Sequence, residues 1–540
     1  MKAEPPELTG PPGNVNGTSQ RLRGENPWGR PARQFDLVAR NLSMDYLTMG
    51  VELVIGLVML PFNLAYLGAA AYGLLVLISS VTRYFSFLNL GYGVALVRFV
   101  AEYRARRDSR ALNQVISTLF FVFIAVGLVA YGIAALLAVN LEGFFNLTVE
   151  QAAAGRQILL IVGLYIALGF PFSIFGGVVN GFQRQYLNGI VAIVTEIVVA
   201  ALNVAVLLAG YGLVELVAAT TLARILSYAV YMLNAYRVFP LLRIRLQDFR
   251  RERLREVTGF SAFIFLIDIA NKLNYSTDAV IIGVFMSTAA IAVWAVAQRL
   301  FEVTQRLTGK LNGVLFPVVV DNATLGQADR LRLILVQGTR LSLAMVLVIA
   351  TGLILLAHPF VLLWVGPDFL GSVPIIYILA AAVVVRVGNS TATTVLKGAG
   401  QHRLLAFSNL ATAIANVGLS IVLVRDFGLI GVALGTLIPL TIVSVFFLFP
   451  AACQRAELPV RVALKKAVWP AVWPAVIMTA FLVVSRNFAP AGLAYLALQS
   501  IAAALLYTLV FLRLAIDRQD RRWYLSKATQ LLRPHAAPAI

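Results

Sequence analysis

Charge is scarce in this chain: Asp, Glu, Lys and Arg make up 13% of its 540 residues, where soluble domains average ~25%. That excludes an ordinary soluble fold. A single cysteine, Cys453, and three scattered histidines, His358, His402 and His535, exclude a disulfide framework and a His/Cys metal site. No G-x-x-x-x-G-K-S/T phosphate loop occurs, no G-x-G-x-x-G opens a soluble helix, and no loop is long enough to house an ATPase domain. No cofactor is expected, and any transport must draw on an ion gradient, the membrane potential or the substrate gradient. Residues 1–35 are rich in Pro, Gly and Arg without an apolar run, so they read as a disordered cytoplasmic tail rather than a signal peptide.

What the chain has in abundance is apolar sequence, 60% of all residues. At ~20 residues per span it divides into about fourteen transmembrane helices, an all-α polytopic membrane protein. Their approximate cores are 44–66, 72–98, 113–139, 154–180, 186–209, 213–236, 259–285, 289–319, 335–357, 373–396, 404–424, 428–450, 467–485 and 491–512. The net charge of +19 would suit nucleic acid, but its distribution argues for topology. Arg98 to Arg110, Arg237 to Arg255 and Arg513 to Arg533 carry most of it, whereas the connections Asn140 to Gln151 and His358 to Ser372 hold no Lys or Arg. Both termini are therefore expected in the cytoplasm of a bacterial cell, with the protein in its inner membrane and no nucleic-acid partner.

Two stretches repeat. Residues 67–91 align without gaps on 285–309, so that Gly91 meets Gly309, and Val179 to Gly212 resembles Leu396 to Gly428, with Gly181 on Gly398. The expected organisation is an N-lobe of six spans over 36–236, a cytoplasmic interfacial linker over 237–258, a C-lobe of six spans over 259–452, two further spans over 453–515 and a cytoplasmic tail over 516–540. An even number of spans per repeat makes the two lobes parallel.

An ionisable side chain near the bilayer centre costs about 2.5–3.5 kcal/mol or more unless it faces a bundle interior or water-filled cavity. Charges within spans are therefore the functional candidates. On 259–285, Asp268, Asn271, Lys272, Tyr275 and Asp278 share a face; on the next span Arg299, Glu302, Arg306 and Lys310 are spaced by three, four and four, a narrow stripe. In the first span Asn41, Asp45, Thr48 and Glu52 share a face, to which Asn63 returns beyond Pro61; Arg83, Glu196 and Arg224 read as isolated charges, and Arg386 adds another. The cationic strip, offset only by Glu302, suits phosphate or carboxylate. Candidate binding residues are Arg83, Arg224, Lys272, Arg299, Arg306, Lys310, Arg386, Asn271 and Tyr275. Candidates for coupling to H⁺ or Na⁺ are Asp45, Glu52, Glu196, Asp268, Asp278 and Glu302. Each has a plainer alternative: Asp268 with Arg299 as a structural ion pair, Glu302 paired along its own helix, Asp45 and Arg306 to Lys310 merely solvated.

Pro61-Phe62-Asn63-Leu64-Ala65-Tyr66-Leu67-Gly68 with Tyr72-Gly73-Leu74, Leu88-Asn89-Leu90-Gly91-Tyr92-Gly93 leading to Arg98, and the later Asn180-Gly181 and Lys397-Gly398-Ala399-Gly400 give the chain a recognisable style. Over residues 36–515 it resembles the multidrug/oligosaccharidyl-lipid/polysaccharide exporter superfamily, and within it the polysaccharide-transporter branch of O-antigen and exopolysaccharide flippases. The resemblance implies movement of an undecaprenyl-diphosphate-linked oligosaccharide to the periplasmic leaflet through a cavity between the lobes. It also implies that the last two helices help seat the lipid tail, and that polymerase or export machinery acts nearby. Lipid II is the second substrate. A multidrug/cation antiporter would have twelve spans and an acidic cavity; a glycan polymerase or ligase would need a large external loop, and here Glu142, Glu150, His358 and Asp368 are the few candidates.

Overall fold

The computed structural model describes residues 34–259, 261, 277–486, 492–517 and 520–521, and the regular elements among them are helices. Ten are long and apolar enough to cross a membrane. Two of the ten, Ala39–Asn89 and His402–Arg455, run to 51 and 54 residues; at ~1.5 Å per residue each would reach about 75 Å, more than twice a ~30 Å hydrocarbon core. Both are broken once, at Gly68 (φ 75°) and Gly428 (φ 54°). Around Gly428 the arms fold back on each other: the Asn416 amide donates to the Thr436 hydroxyl at 2.9 Å, and the Ser420 hydroxyl donates to the Val432 carbonyl at 3.4 Å. A positive φ in a one-residue reversal is the conformation that glycine adopts without strain. Each long helix is thus divided into two arms, where the sequence places two spans. The other expected spans are the charged helix Thr288–Thr324 and the segment 259–285, of which Gly259, Ser261 and Thr277–Phe285 are described.

In chain order the elements that position the site are α1 (Gln34–Arg83), α2 (Tyr92–Ala105), α3 (Ser109–Val139), α4 (Val149–Gly181), α5 (Gln185–Leu208), α6 (Leu213–Val238), α7 (Thr277–Phe285), α8 (Thr288–Thr324), α9 (Ala328–Trp364), α10 (Val373–Gly388), α11 (Ser390–Gly398), α12 (His402–Ile442), α13 (Trp469–Arg486) and α14 (Leu493–Val510). α8 starts where the sequence places a turn: the Ser287 hydroxyl accepts the Ala290 N–H at 3.3 Å, an N-cap.

The sequence repeat has a geometric counterpart. α4 ends with Gln183 at φ 62°, and α11 ends with Gly400 at φ 76°. In both, the left-handed residue donates its N–H to the carbonyl three back (Asn180, Lys397), and the next N–H reaches the carbonyl five back (Val179, Leu396). Arg107 and Gly326 end α2 and α8 in the same way. The aligned glycines also do one job: a Cβ on Gly181 would lie 2.4 Å from Val100, and one on Gly398 would lie 2.5 Å from Val319. Lipid-embedded helices gain little from the hydrophobic effect and associate by close backbone approach, which these small residues permit. One aligned pair differs. Gly91 (φ 76°) follows the 3₁₀ turn Tyr84–Asn89 and left-handed Leu90, whereas Gly309 lies within the unbroken α8.

Segments rich in arginine are tied down by side chains. Along the linker, Asn113 on α3 accepts the Arg243 N–H and donates to the Leu241 carbonyl, Ser117 bridges Arg243 and Arg245, and Thr118 accepts from Arg250. Arg340 on α9 is buried within its span; it donates to the Lys466 carbonyl at 2.7 and 3.0 Å and pairs with Asp520 at 2.5 Å. That fastens α9 to both ends of the α13–α14 hairpin.

Candidate anion-binding cavity

α1 packs against α8, and their contact gathers several of the sequence candidates. Arg299 of α8 reaches across to the Glu52 carbonyl at 3.3 Å, its guanidinium lying over Gly56, where a Cβ would fall 1.2 Å from Nη2. Arg306, two turns on, pairs with the Glu52 carboxylate at 2.9 Å. Glu302 lies 3.8 Å from Arg299 and 3.7 Å from Arg83 at the end of α1, and it accepts from Gln298, which in turn accepts the Trp294 indole N–H. The strip is therefore offset by Glu52 as well as Glu302, a correction to the sequence reading. Glu52 sits on another span, so helical spacing could not bring it to the strip.

A cavity of about 610 Å³ opens beside this contact, lined by Asp45, Thr48, Glu52, Asn180, Gln185, Asn188, Tyr231, Gln305 and Arg306 among others. A second, of about 450 Å³, is lined by Gln305, Arg386, Asn389, Lys397, His402 and Asn409 with several hydroxyls. Between them a 60 Å³ space is bordered by Arg83, Asp278, Glu302, Gln305, Arg386 and Thr436. Gln305 borders all three, so the polar spaces meet at α8. Arg386 lies 5.7 Å from the Phe301 ring, and Lys397 lies 5.2 Å from Phe316. Asp278 accepts from Thr436 at 3.5 Å, which itself accepts from Asn416.

Arg83, Arg306, Arg386, Asp45, Glu52, Asp278 and Glu302 thus border one set of spaces, with Arg299 beside them at the α1–α8 contact. Asp268, Asn271, Lys272 and Tyr275 lie outside the described residues, as does the Lys310 side chain. Glu196 and Arg224 are not isolated: they form a two-point pair at 2.8 and 3.3 Å between α5 and α6. The pairing of two adjacent helices is a tertiary fact that neither helix's own spacing carries. Sequence reasoning missed Gln305, which is uncharged, and Lys397 and His402, which sit at helix ends where charge is unremarkable. It also missed Arg340, whose position near a span boundary hid its burial.

Chemically, guanidinium groups along one helix beside polar cavities suit a multiply charged oxyanion such as a diphosphate. A separate apolar cavity of about 400 Å³ lies between α9, α13 and α14, lined by Ile349, Leu353, Phe360, Met478, Leu496 and Ile501 among others.

Residues 38–323 match the family described as polysaccharide biosynthesis protein. The chain is 22% identical over 415 residues to the uncharacterized membrane protein EpsK of Bacillus subtilis, covering 75% of this chain and 81% of that one. It is 23% identical over 495 residues to the probable flippase AglR of Haloferax volcanii, covering 90% and 97%. Among solved structures, the lipid II flippase MurJ in its inward closed conformation superposes with a TM-score of 0.68 at 15% identity, covering 91% of this chain and 99% of that one. At that identity the likeness speaks for the fold.

Proposed function

The chain belongs to the family of polysaccharide biosynthesis proteins, and from that premise we propose that it moves an undecaprenyl-diphosphate-linked oligosaccharide from the cytoplasmic to the periplasmic leaflet. The observation that carries the reading is Arg306 at the wall of the 610 Å³ polar cavity, with Arg299 two turns away on the same helix. A diphosphate needs cations there, and a glycan needs the polar room beside them. The flippase named among its relatives supports the same reading.

The mechanism follows from the parts. The diphosphate sits on the strip, with Arg83 and Arg386 adjoining, while the lipid tail stays in the bilayer and the apolar cavity at α13 and α14 seats its first segment. The lobes, 36–236 and 259–452 joined by 237–258, rock about the α1–α8 contact, so that the cavity opens to each side in turn. No bond is made or broken, so the protein acts as a transporter and not an enzyme. Its Arg-rich ends and linker face the cytoplasm of a bacterial inner membrane.

Coupling falls to Asp278. It accepts from the Thr436 hydroxyl and borders the 60 Å³ space beside Arg386, so a carboxylate and a cation share one small polar site where a bound H⁺ or Na⁺ would compete with the arginine. Asp278→Asn is expected to leave binding of the lipid-linked glycan intact and to remove the dependence of its transport on a sodium or proton gradient, read in proteoliposomes with imposed gradients. An unchanged dependence assigns coupling elsewhere.

The direct test is the leaflet distribution of lipid-linked glycan in cells depleted of the protein, using a membrane-impermeant glycan probe on intact spheroplasts. Accumulation on the cytoplasmic side is the expected result. Normal outward appearance of unpolymerised units would overturn the reading.

A further inference from the structure

We infer that the 450 Å³ cavity between α8, α10, α11 and α12 seats an acidic sugar of the transported glycan, its carboxylate on Lys397 and its hydroxyls on the wall between there and Asn389; this rests on the transport reading above. The sequence repeat relates this cavity to the 610 Å³ one across α8. Asn180 and Gln185 line the larger cavity, and the residues aligned with them, Lys397 and His402, line the smaller. Two neutral amides of the first copy are thus basic side chains in the second. The acids divide the other way: Asp45 and Glu52 line the larger cavity, whereas among the described residues no carboxylate lines the smaller. Arg386 also borders the smaller cavity, but it shares the 60 Å³ space with Asp278 and Glu302, which answer its charge from that side. Lys397 stands apart from them, with its ammonium 5.2 Å from the Phe316 ring.

The neutral part of the lining is rich in acceptors. Thr308, Thr394 and Thr412 each donate their hydroxyl proton to a carbonyl of their own helix, at 2.8, 2.9 and 2.8 Å, so what they can offer the cavity is an oxygen lone pair. Asn389, 6% exposed between α10 and α11, lines it too, and its buried Oδ1 has no partner among the described residues. A buried acceptor left unpaired is costly, so this wall calls for a donor. A diphosphate brings none, whereas a sugar brings several hydroxyls, and an acidic sugar adds the anion that a lysine takes. Both anions fit one molecule. Gln305 and Gly309 border the two cavities together, and a Cβ on Gly309 would meet nothing within 4 Å. Glycine weakens a helix interior, but here it leaves α8 bare where a glycan whose diphosphate sits at Arg306 would cross. From Gly309 to Phe316, beside Lys397, is about 10 Å of helix at ~1.5 Å per residue, within reach of the distal ring of a disaccharide.

The test compares three probes on the full chain in nanodiscs: undecaprenyl diphosphate, the same lipid bearing a glucosyl-glucose disaccharide, and that disaccharide lipid with glucuronic acid as its distal ring. The native protein is expected to bind the glucuronic acid lipid about tenfold more tightly than the glucose one. Lys397→Gln should remove that preference and leave the other two lipids unchanged, and Lys397→Arg should keep it. Gly309→Leu should also remove it, with every charge untouched, which separates a seat in the cavity from attraction at long range. Equal affinity of the native protein for the two disaccharide lipids, or a preference that survives Lys397→Gln or Gly309→Leu, overturns the acidic-sugar seat and leaves the transport reading standing. So does a Lys397→Gln loss that is as large for the bare lipid, which would make this cavity the seat of the diphosphate. Binding of none of the three lipids by the native protein overturns both readings.

Discussion

Arg299→Glu is expected to lower outward movement of the lipid-linked glycan by about a hundredfold or more while the protein still inserts. Reversing a charge against a nearby carboxylate in a partly buried site costs several kcal/mol, and every 1.4 kcal/mol is about tenfold. Reversal does more than truncate: the new carboxylate would stand one turn from Glu302 and beside the Glu52 carbonyl that Arg299 now contacts. The measurement is the spheroplast glycan assay, with membrane insertion followed separately. A companion experiment separates structure from binding. Exchanging Arg306 and Glu52, as Arg306→Glu with Glu52→Arg, keeps their ion pair but removes the cation from α8. Restored export would make the pair a structural brace, and continued failure would place the cation itself in substrate contact.

The largest effect on stability is expected at Arg340. Arg340→Ala removes two hydrogen bonds to the Lys466 carbonyl and leaves Asp520 without its cation, in a site where the arginine side chain is 8% exposed. Breaking a buried pair from one side costs about 3–5 kcal/mol. The expected result is a clear fall in unfolding temperature in detergent, together with faster proteolysis of α13 and α14, because the same contacts hold the α13–α14 hairpin to α9. Undiminished stability would show that apolar packing alone fixes that hairpin. Since the apolar cavity lies along this seam, the variant should also bind a lipid-tailed substrate less well than a tail-free analogue predicts.

Most of the architecture was legible because a bilayer leaves few options: apolar runs must be helices, and intramembrane charges must face inward. The shared face of Asp45, Thr48 and Glu52 was read from spacing alone, and all three line the cavity. Spacing stops at the end of a helix. It could not show that Glu52 answers Arg306, that Glu196 answers Arg224, or that Asn416 and Thr436 meet across Gly428. The glycine alignment was informative where glycine serves close approach, as at Gly181 and Gly398. It misled where glycine serves backbone conformation, as at Gly91 and Gly309.

That last contrast bears on movement. Two consecutive left-handed residues, Leu90 and Gly91, interrupt the first copy, whereas its counterpart α8 runs 37 residues without a break, about 55 Å of helix. A duplicated chain has thus kept one stiff rod and one elbow. The rod carries Arg299 and Arg306 ahead of Pro317, so in the proposed transport cycle their separation would stay the same as the cavity opens to either side, and bending would fall to the elbow.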